Sequence, residues 1–86
     1  MPKTVIYTTI YCGYCVRAKR LLKEKKIPFE EIDVSCDVEK RRSMMEKSGG
    51  RMTLPQIFIG ETHVGGCDDL YELEYSGRLD PLLNVA

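Results

Sequence analysis

The sequence predicts an α/β fold, a four-stranded mixed sheet flanked by helices in the order β-α-β-α-β-β-α. Three observations predict it. Short apolar runs alternate along the chain with segments of helical periodicity. About twenty residues separate the first two runs, which suits a helical crossover between parallel strands. The last two runs are joined by only Gly60-Glu61, a tight turn.

Each element follows from local chemistry. Thr4 to Thr8 reads as a buried strand. From about Gly13 to Lys26, Cys15, Ala18, Leu21 and Leu22 recur at helical spacing, with most lysines and arginines on the other side. Pro28 is expected to end that helix, because its ring cannot continue the hydrogen-bond ladder. Phe29 to Val34 alternates apolar and acidic residues, as a half-buried strand does. Residues 37–48 suggest a second helix, with Asp37 as its cap and Val38, Met44 and Met45 as apolar positions. Ser48-Gly49-Gly50 stops it. Gln56 to Ile59 is a third strand and Thr62 to Val64 a fourth. Gly65-Gly66 then breaks to a helix from about Asp68 to Tyr75, and Leu79 to Leu83 suggests a closing helical turn. Helices on both faces of such a sheet make a thioredoxin-like arrangement, with residues 1–86 as one domain.

Composition is that of an ordinary globular chain, 43% hydrophobic and 30% charged in 86 residues. No apolar stretch approaches the ~20 residues that span a bilayer. The N-terminal residues Met1-Pro2-Lys3-Thr4 run straight into a strand without signal-peptide architecture, so a cytoplasmic, reducing location is expected. There, four cysteines read as catalytic or metal-binding more readily than as a disulfide framework. Net charge is zero but unevenly spread. Residues 1–26 carry Lys3, Arg17, Lys19, Arg20, Lys23, Lys25 and Lys26 against Glu24 alone. From residue 60 onward, Glu61, Asp68, Asp69, Glu72, Glu74 and Asp80 oppose only Arg78. The basic run is either a solvated helix face or a positive field near Cys12 that attracts an anionic thiol. A nucleic-acid partner is not expected, since the chain is not basic overall and no aromatics interleave its basic face.

Cys12-Gly13-Tyr14-Cys15 sits where the first strand gives way to a helix. Free N–H groups and the positive end of the helix dipole favour a thiolate at Cys12, the expected nucleophile. Cys15, one turn inside, is expected to be deeper, less acidic and the resolving thiol. Two cysteines merely buried in a helix are the bland alternative. Zinc would need a matching second pair, which the isolated Cys36 and Cys67 do not make. Tyr14 either walls the cleft or is a simple exposed aromatic.

Two further segments accompany the pair. Pro55, in Thr53-Leu54-Pro55, is an ordinary strand-opening proline or a cis one; the cis form would turn the Leu54 backbone out toward an extended peptide. Gly65-Gly66-Cys67-Asp68-Asp69 is a glycine turn with an acidic helix cap, or a place where backbone N–H groups meet a carboxylate and Asp68 or Asp69 meets an ammonium. Cys67 is a small helix-start residue or a regulatory thiol acidified by its position. Cys36 reads as a semi-exposed thiol and His63 as a surface strand residue. Met44, Met45 and Met52 read as core or loop residues.

Taken together, Cys12-Gly13-Tyr14-Cys15, Thr53-Leu54-Pro55-Gln56-Ile57-Phe58-Ile59 and Gly65-Gly66-Cys67-Asp68-Asp69 resemble a dithiol glutaredoxin over nearly the whole chain, most closely the small bacterial forms. The resemblance implies a glutathione-dependent thiol–disulfide oxidoreductase that reduces protein–glutathione mixed disulfides and protein disulfides, with glutathione as reducing co-substrate. It implies catalytic Cys12 and Cys15. Glutathione would be bound by Tyr14, the Leu54 backbone beside a cis Pro55, Gly66, Cys67 and Asp68, and Arg42 would meet its glycyl carboxylate. Partners would be glutathione and oxidised proteins, met by a monomer.

The chain departs from the family pattern twice. Gly13 stands where many members have proline, and some members with glycine or serine there resemble iron–sulfur-binding forms; two chains would then each offer Cys12, with two glutathione thiols completing a [2Fe–2S] site. Thr9 stands where many carry lysine, and a basic residue of the first helix is expected to substitute. Cluster carriage is therefore one alternative function. A hydrogen donor served by a flavoprotein reductase is another.

Overall fold

The computed structural model describes residues 2–84; Met1, Val85 and Ala86, the ends of the expected 1–86 domain, lie outside the described residues. The chain runs β1 (Thr4–Thr8), α1 (Gly13–Glu24), β2 (Glu30–Asp33), α2 (Val38–Lys47), β3 (Gln56–Ile59), β4 (Thr62–Gly65), α3 (Cys67–Tyr75) and α4 (Leu79–Leu83). The sheet order is β2-β1-β3-β4. β1 pairs parallel with β2 and antiparallel with β3, and β3 pairs antiparallel with β4 across a register shift at Ile57/Phe58. The predicted mixed sheet is thus the observed one.

β1 is central and nearly continuously buried because both of its faces are covered. On one side Ile6, Ile57 and Ile59 meet Ala18, Leu21 and Leu22 of α1, Leu70 of α3, and Leu79 and Leu83 of α4. On the other side a smaller cluster of Tyr7, Val34 and Met44 is flanked by Val5, Ile32, Met45, Leu54 and Phe58. Met44 is the buried residue of α2; Val38, expected on its apolar side, is the first residue of the helix and is exposed. β2 proves to be an edge strand. Glu30 and Glu31 face solvent and pair with Lys3 (2.7 Å) and Lys19 (2.9 Å), charges that discourage pairing with another chain.

α1 ends at Glu24, four residues before Pro28. Lys26 takes a left-handed backbone (φ 59°), its N–H bonds to Lys23 O (3.0 Å), and Ile27 N–H bonds to Leu22 O (2.9 Å). This is a Schellman closure, locked by burial of Leu22 and Ile27 in the same cluster. Proline therefore follows the stop and does not cause it. Lys25, mostly buried, joins Glu74 (2.9 Å) and Asp80 (2.6 Å), tying the end of α1 to α3 and α4.

Candidate functional site

The site forms where β1 ends. Ser35 Oγ accepts from Ile10 N–H (2.8 Å) and lies 3.0 Å from Thr9 Oγ1, pinning the loop that leaves the strand. Tyr11, fully exposed, has a left-handed backbone (φ 57°) that turns the chain into α1. Cys12 is the N-cap of α1, and its Sγ accepts from Cys15 N–H at 3.1 Å. Sulfur here does what a serine or aspartate oxygen does at other N-caps. A donated N–H and the positive end of a helix both stabilise negative charge on that atom.

Cys15, at 1% exposure, is the deeper thiol, as expected. Burial, then the hydrogen bond to Cys12 and the charge of Cys12, push its pKa up to about 12; Thr9 backbone and Lys19 pull the other way. Cys67 is also buried. Its expected acidification is overturned: burial pushes its thiol up, with Asp68 and Cys12 adding to the shift and only Arg17 opposing it. All four cysteines are free, and Cys36 is exposed.

The Leu54–Pro55 peptide is cis, and the Leu54 carbonyl oxygen lies 3.9 Å from Cys12 Sγ. A Cβ on Gly66 would lie 3.4 Å from Pro55 O, so the glycine turn abuts the same loop. Gly65 takes φ +116°, and Gly66 is the N-cap of α3, its N–H bound by Asp69 Oδ2 at 2.8 Å. Asp69, which also lies 3.8 Å from Arg51, is thereby occupied with structure, and Asp68 is left exposed. Asp68 borders an open concavity of about 530 Å³ with Arg17, Tyr71 and Tyr75, where Arg17 stacks over the Tyr71 ring at 5.5 Å.

The structure thus brings Cys12, Cys15, Leu54, Pro55, Gly66 and Cys67 around one point, with Tyr14 exposed on the first turn of α1. Arg42 is exposed on α2, 4.0 Å from Glu39, and no hydrogen bond or ion pair among the described residues ties it to the Cys12 loop. On the other side of Cys12 a groove of about 430 Å³ passes Thr9, Val16, Lys19, Glu31 and Asp33. Lys19 is the helix cation that stands beside Thr9. Its ammonium is paired with Glu31, so the expected positive field is largely neutralised on this side.

Sequence reasoning missed Ser35, Arg51 and Gln56, and took His63 for a surface residue. His63 is half-buried, stacked on Phe58 (4.8 Å) and 2.6 Å from Gln56 Oε1. The available signal was Gln56 itself, a polar residue in an apolar strand. Among the described residues, no group of three or more His, Cys, Asp or Glu could hold a metal ion, and no helix is long and apolar enough to cross a membrane. At the pair itself only Cys12 is accessible, so one chain offers a [2Fe–2S] cluster one thiol and fits it only as a shared ligand.

The family model "Glutaredoxin" matches residues 4–64. A glutaredoxin of Pseudomonas aeruginosa is 54% identical over 86 residues, covering 99% of this chain and all of that protein. The solution structure of a Brucella melitensis glutaredoxin is 58% identical with a TM-score of 0.84, covering 96% of this chain and 89% of that one. A buckwheat glutaredoxin–glutathione complex is 29% identical with a TM-score of 0.86, covering 99% and 83%.

Proposed function

Since the chain belongs to the glutaredoxin family of thiol–disulfide oxidoreductases, we propose that it reduces protein–glutathione mixed disulfides at the expense of glutathione, with Cys12 as nucleophile. The observation that carries this reading is the setting of Cys12 Sγ. It caps α1 and faces the Leu54 carbonyl of the cis-proline loop, whereas Cys15 is buried behind it.

In the first step the Cys12 thiolate attacks the glutathionyl sulfur of the mixed disulfide. The S–S bond breaks, the protein thiolate leaves and takes up a proton, and Cys12 carries the glutathionyl group. A second glutathione thiolate then attacks that group's sulfur, releasing oxidised glutathione and restoring Cys12. The Cys15 N–H stays aimed at the sulfur throughout and stabilises the charge that returns at the second step. Leu54 backbone would pair with the cysteinyl unit. The Cys67 N–H, beside Gly66 at the start of α3, would receive the γ-glutamyl carboxylate, and Asp68 its ammonium. Tyr14 would wall the site and Arg42 would meet the glycyl carboxylate. With a protein disulfide, Cys15 would attack the Cys12 mixed disulfide and release the reduced client. We read the chain as a single domain acting as a cytoplasmic monomer, where its thiols stay reduced.

The buckwheat complex supports glutathione as ligand through a shared fold. Kinetics with glutathione and a small mixed disulfide test the reading. Cys12→Ser should abolish turnover and Cys15→Ser should leave much of it; full activity in Cys12→Ser would overturn the assignment. A second reading, a [2Fe–2S] cluster shared by two chains through Cys12, is favoured by one feature: a Cβ at Gly13 would meet nothing within 4 Å, so the space over the helix start is open. Anaerobic reconstitution that yields a colourless monomer would eliminate it.

A further inference from the structure

We propose that His63 and Gln56 are positioning residues: a relay from imidazole to carboxamide to backbone that holds the Thr53-Leu54-Pro55 loop against Cys12 and sets how tightly glutathione is held. The proposal rests on the glutathione reading above.

Gln56 opens β3 and is fully buried. A buried carboxamide must place two N–H hydrogens and a carbonyl oxygen. Nε2 donates to Thr53 O at 2.9 Å and to Thr53 Oγ1 at 3.0 Å, which uses both hydrogens. The orientation of the amide is thereby fixed, because Thr53 O only accepts. Oε1 is left facing β4, 2.6 Å from His63 Nε2. An amide oxygen cannot donate, so the proton of this bond belongs to His63, and the neutral ring is the Nε2–H tautomer.

The imidazole has little freedom to leave. It stacks on Phe58 with an interplanar angle of 24°, and Phe58 packs on the smaller apolar cluster. Burial, with the Arg51 charge second, lowers the His63 pKa, so the ring is neutral at pH 7. The bonds then run in one sense, from β4 through β3 to the carbonyl one residue before Leu54, and each polarises the next. Removing the His63 donor leaves a buried acceptor without a partner, and the amide can satisfy it only by giving up Thr53.

His63→Phe keeps a ring on Phe58 and deletes the donor; His63→Gln returns an N–H to the same place. With glutathione and a small mixed disulfide, His63→Phe should raise KM for glutathione about five-fold, with kcat within about two-fold, the effect of one hydrogen bond. His63→Gln should recover most of the loss. An unchanged KM in His63→Phe, or equal impairment in both variants, overturns the relay. Ring 15N shifts of His63 in the unsubstituted protein give a readout independent of activity and of variant folding: Nε2–H supports the proposal and Nδ1–H overturns it. Absence of glutathione turnover in the unsubstituted protein would defeat the glutathione reading alone, and the tautomer would then decide the relay.

Discussion

Alkylation of the reduced protein with iodoacetamide at pH 7 should spare Cys15 to a calculable degree. Raising its pKa from 9.0 to about 12 leaves about a thousandth of the thiolate an ordinary cysteine would have. A more basic thiolate is also a better nucleophile. With a Brønsted slope of about 0.4–0.5, that returns a factor of roughly 15–30. The net expectation is a rate about 30- to 60-fold below that of the same residue in the unfolded chain. Burial at 1% exposure can only add to it, since the reagent then needs a local opening. Timed alkylation followed by peptide mass spectrometry, with the guanidinium-unfolded protein as reference, reads the ratio directly. Equal rates for Cys15 in the folded and unfolded protein would refute the reasoning. Behind burial, the next cause of the shift is the hydrogen bond to Cys12, and the Cys12 charge acts in the same direction. Cys12→Ala should therefore speed alkylation of Cys15 relative to the parent. A mixed disulfide at Cys12 removes the same charge, so Cys15 becomes easier to ionise at the step that would call on it.

The same shift gives stability a sign. Unfolded Cys15 releases its proton above about 9 and folded Cys15 keeps it until about 12, so its contribution is fully present below 9 and is lost as pH climbs through that window; denaturant melts under reducing conditions should show the decline. Met44→Ala should cost about 2–5 kcal/mol in urea unfolding, because Met44 is fully buried in a cluster too small to close over the gap. Asp37→Ala removes the 2.9 Å cap on Lys40 N–H and should cost about 1 kcal/mol by thermal melting. Gly65→Ala puts a Cβ on the Asp69 carboxylate at a backbone φ of +116°. It should cost about 1–3 kcal/mol and raise KM for glutathione, read by melting and kinetics together.

Much of the fold was legible because each element depends on local pattern. The four buried residues of α1 fall at the spacing their sequence shows. Asp37 caps α2 as its residue type suggests. What failed needed tertiary context. The end of α1 is set by Leu22 and Ile27 meeting in the core, with a lysine in the left-handed position where glycine would have announced the stop. Nothing in Val38 itself says that the first residue of α2 is left exposed, and nothing in Glu30-Glu31 says that β2 is an edge.

The site divides along the same line, and the cysteine pair shows why. Cys12 is the N-cap of α1 and Cys15 is its third residue, so C-x-x-C has the spacing of a capping box. In a capping box the side chain at the cap accepts the N–H three residues on, and the side chain three residues on reaches back toward the cap. Sulfur at both places gives Cys12 a donated N–H and puts the Cys15 thiol within hydrogen-bonding reach of it. The geometry that allows a disulfide is thus the geometry of a helix start, and it can be read from the four residues alone. The difference between the two thiols is set elsewhere. Cys15 is buried by the folded chain around it, and the cis-proline loop stands in front of Cys12. That loop is held from behind by Gln56 and His63, and the glycine turn by Asp69 and Arg51. None of these four has a fixed spacing to the cysteines. A glutamine buried in an apolar strand must place its donors and its acceptor, and here they go to Thr53 and His63.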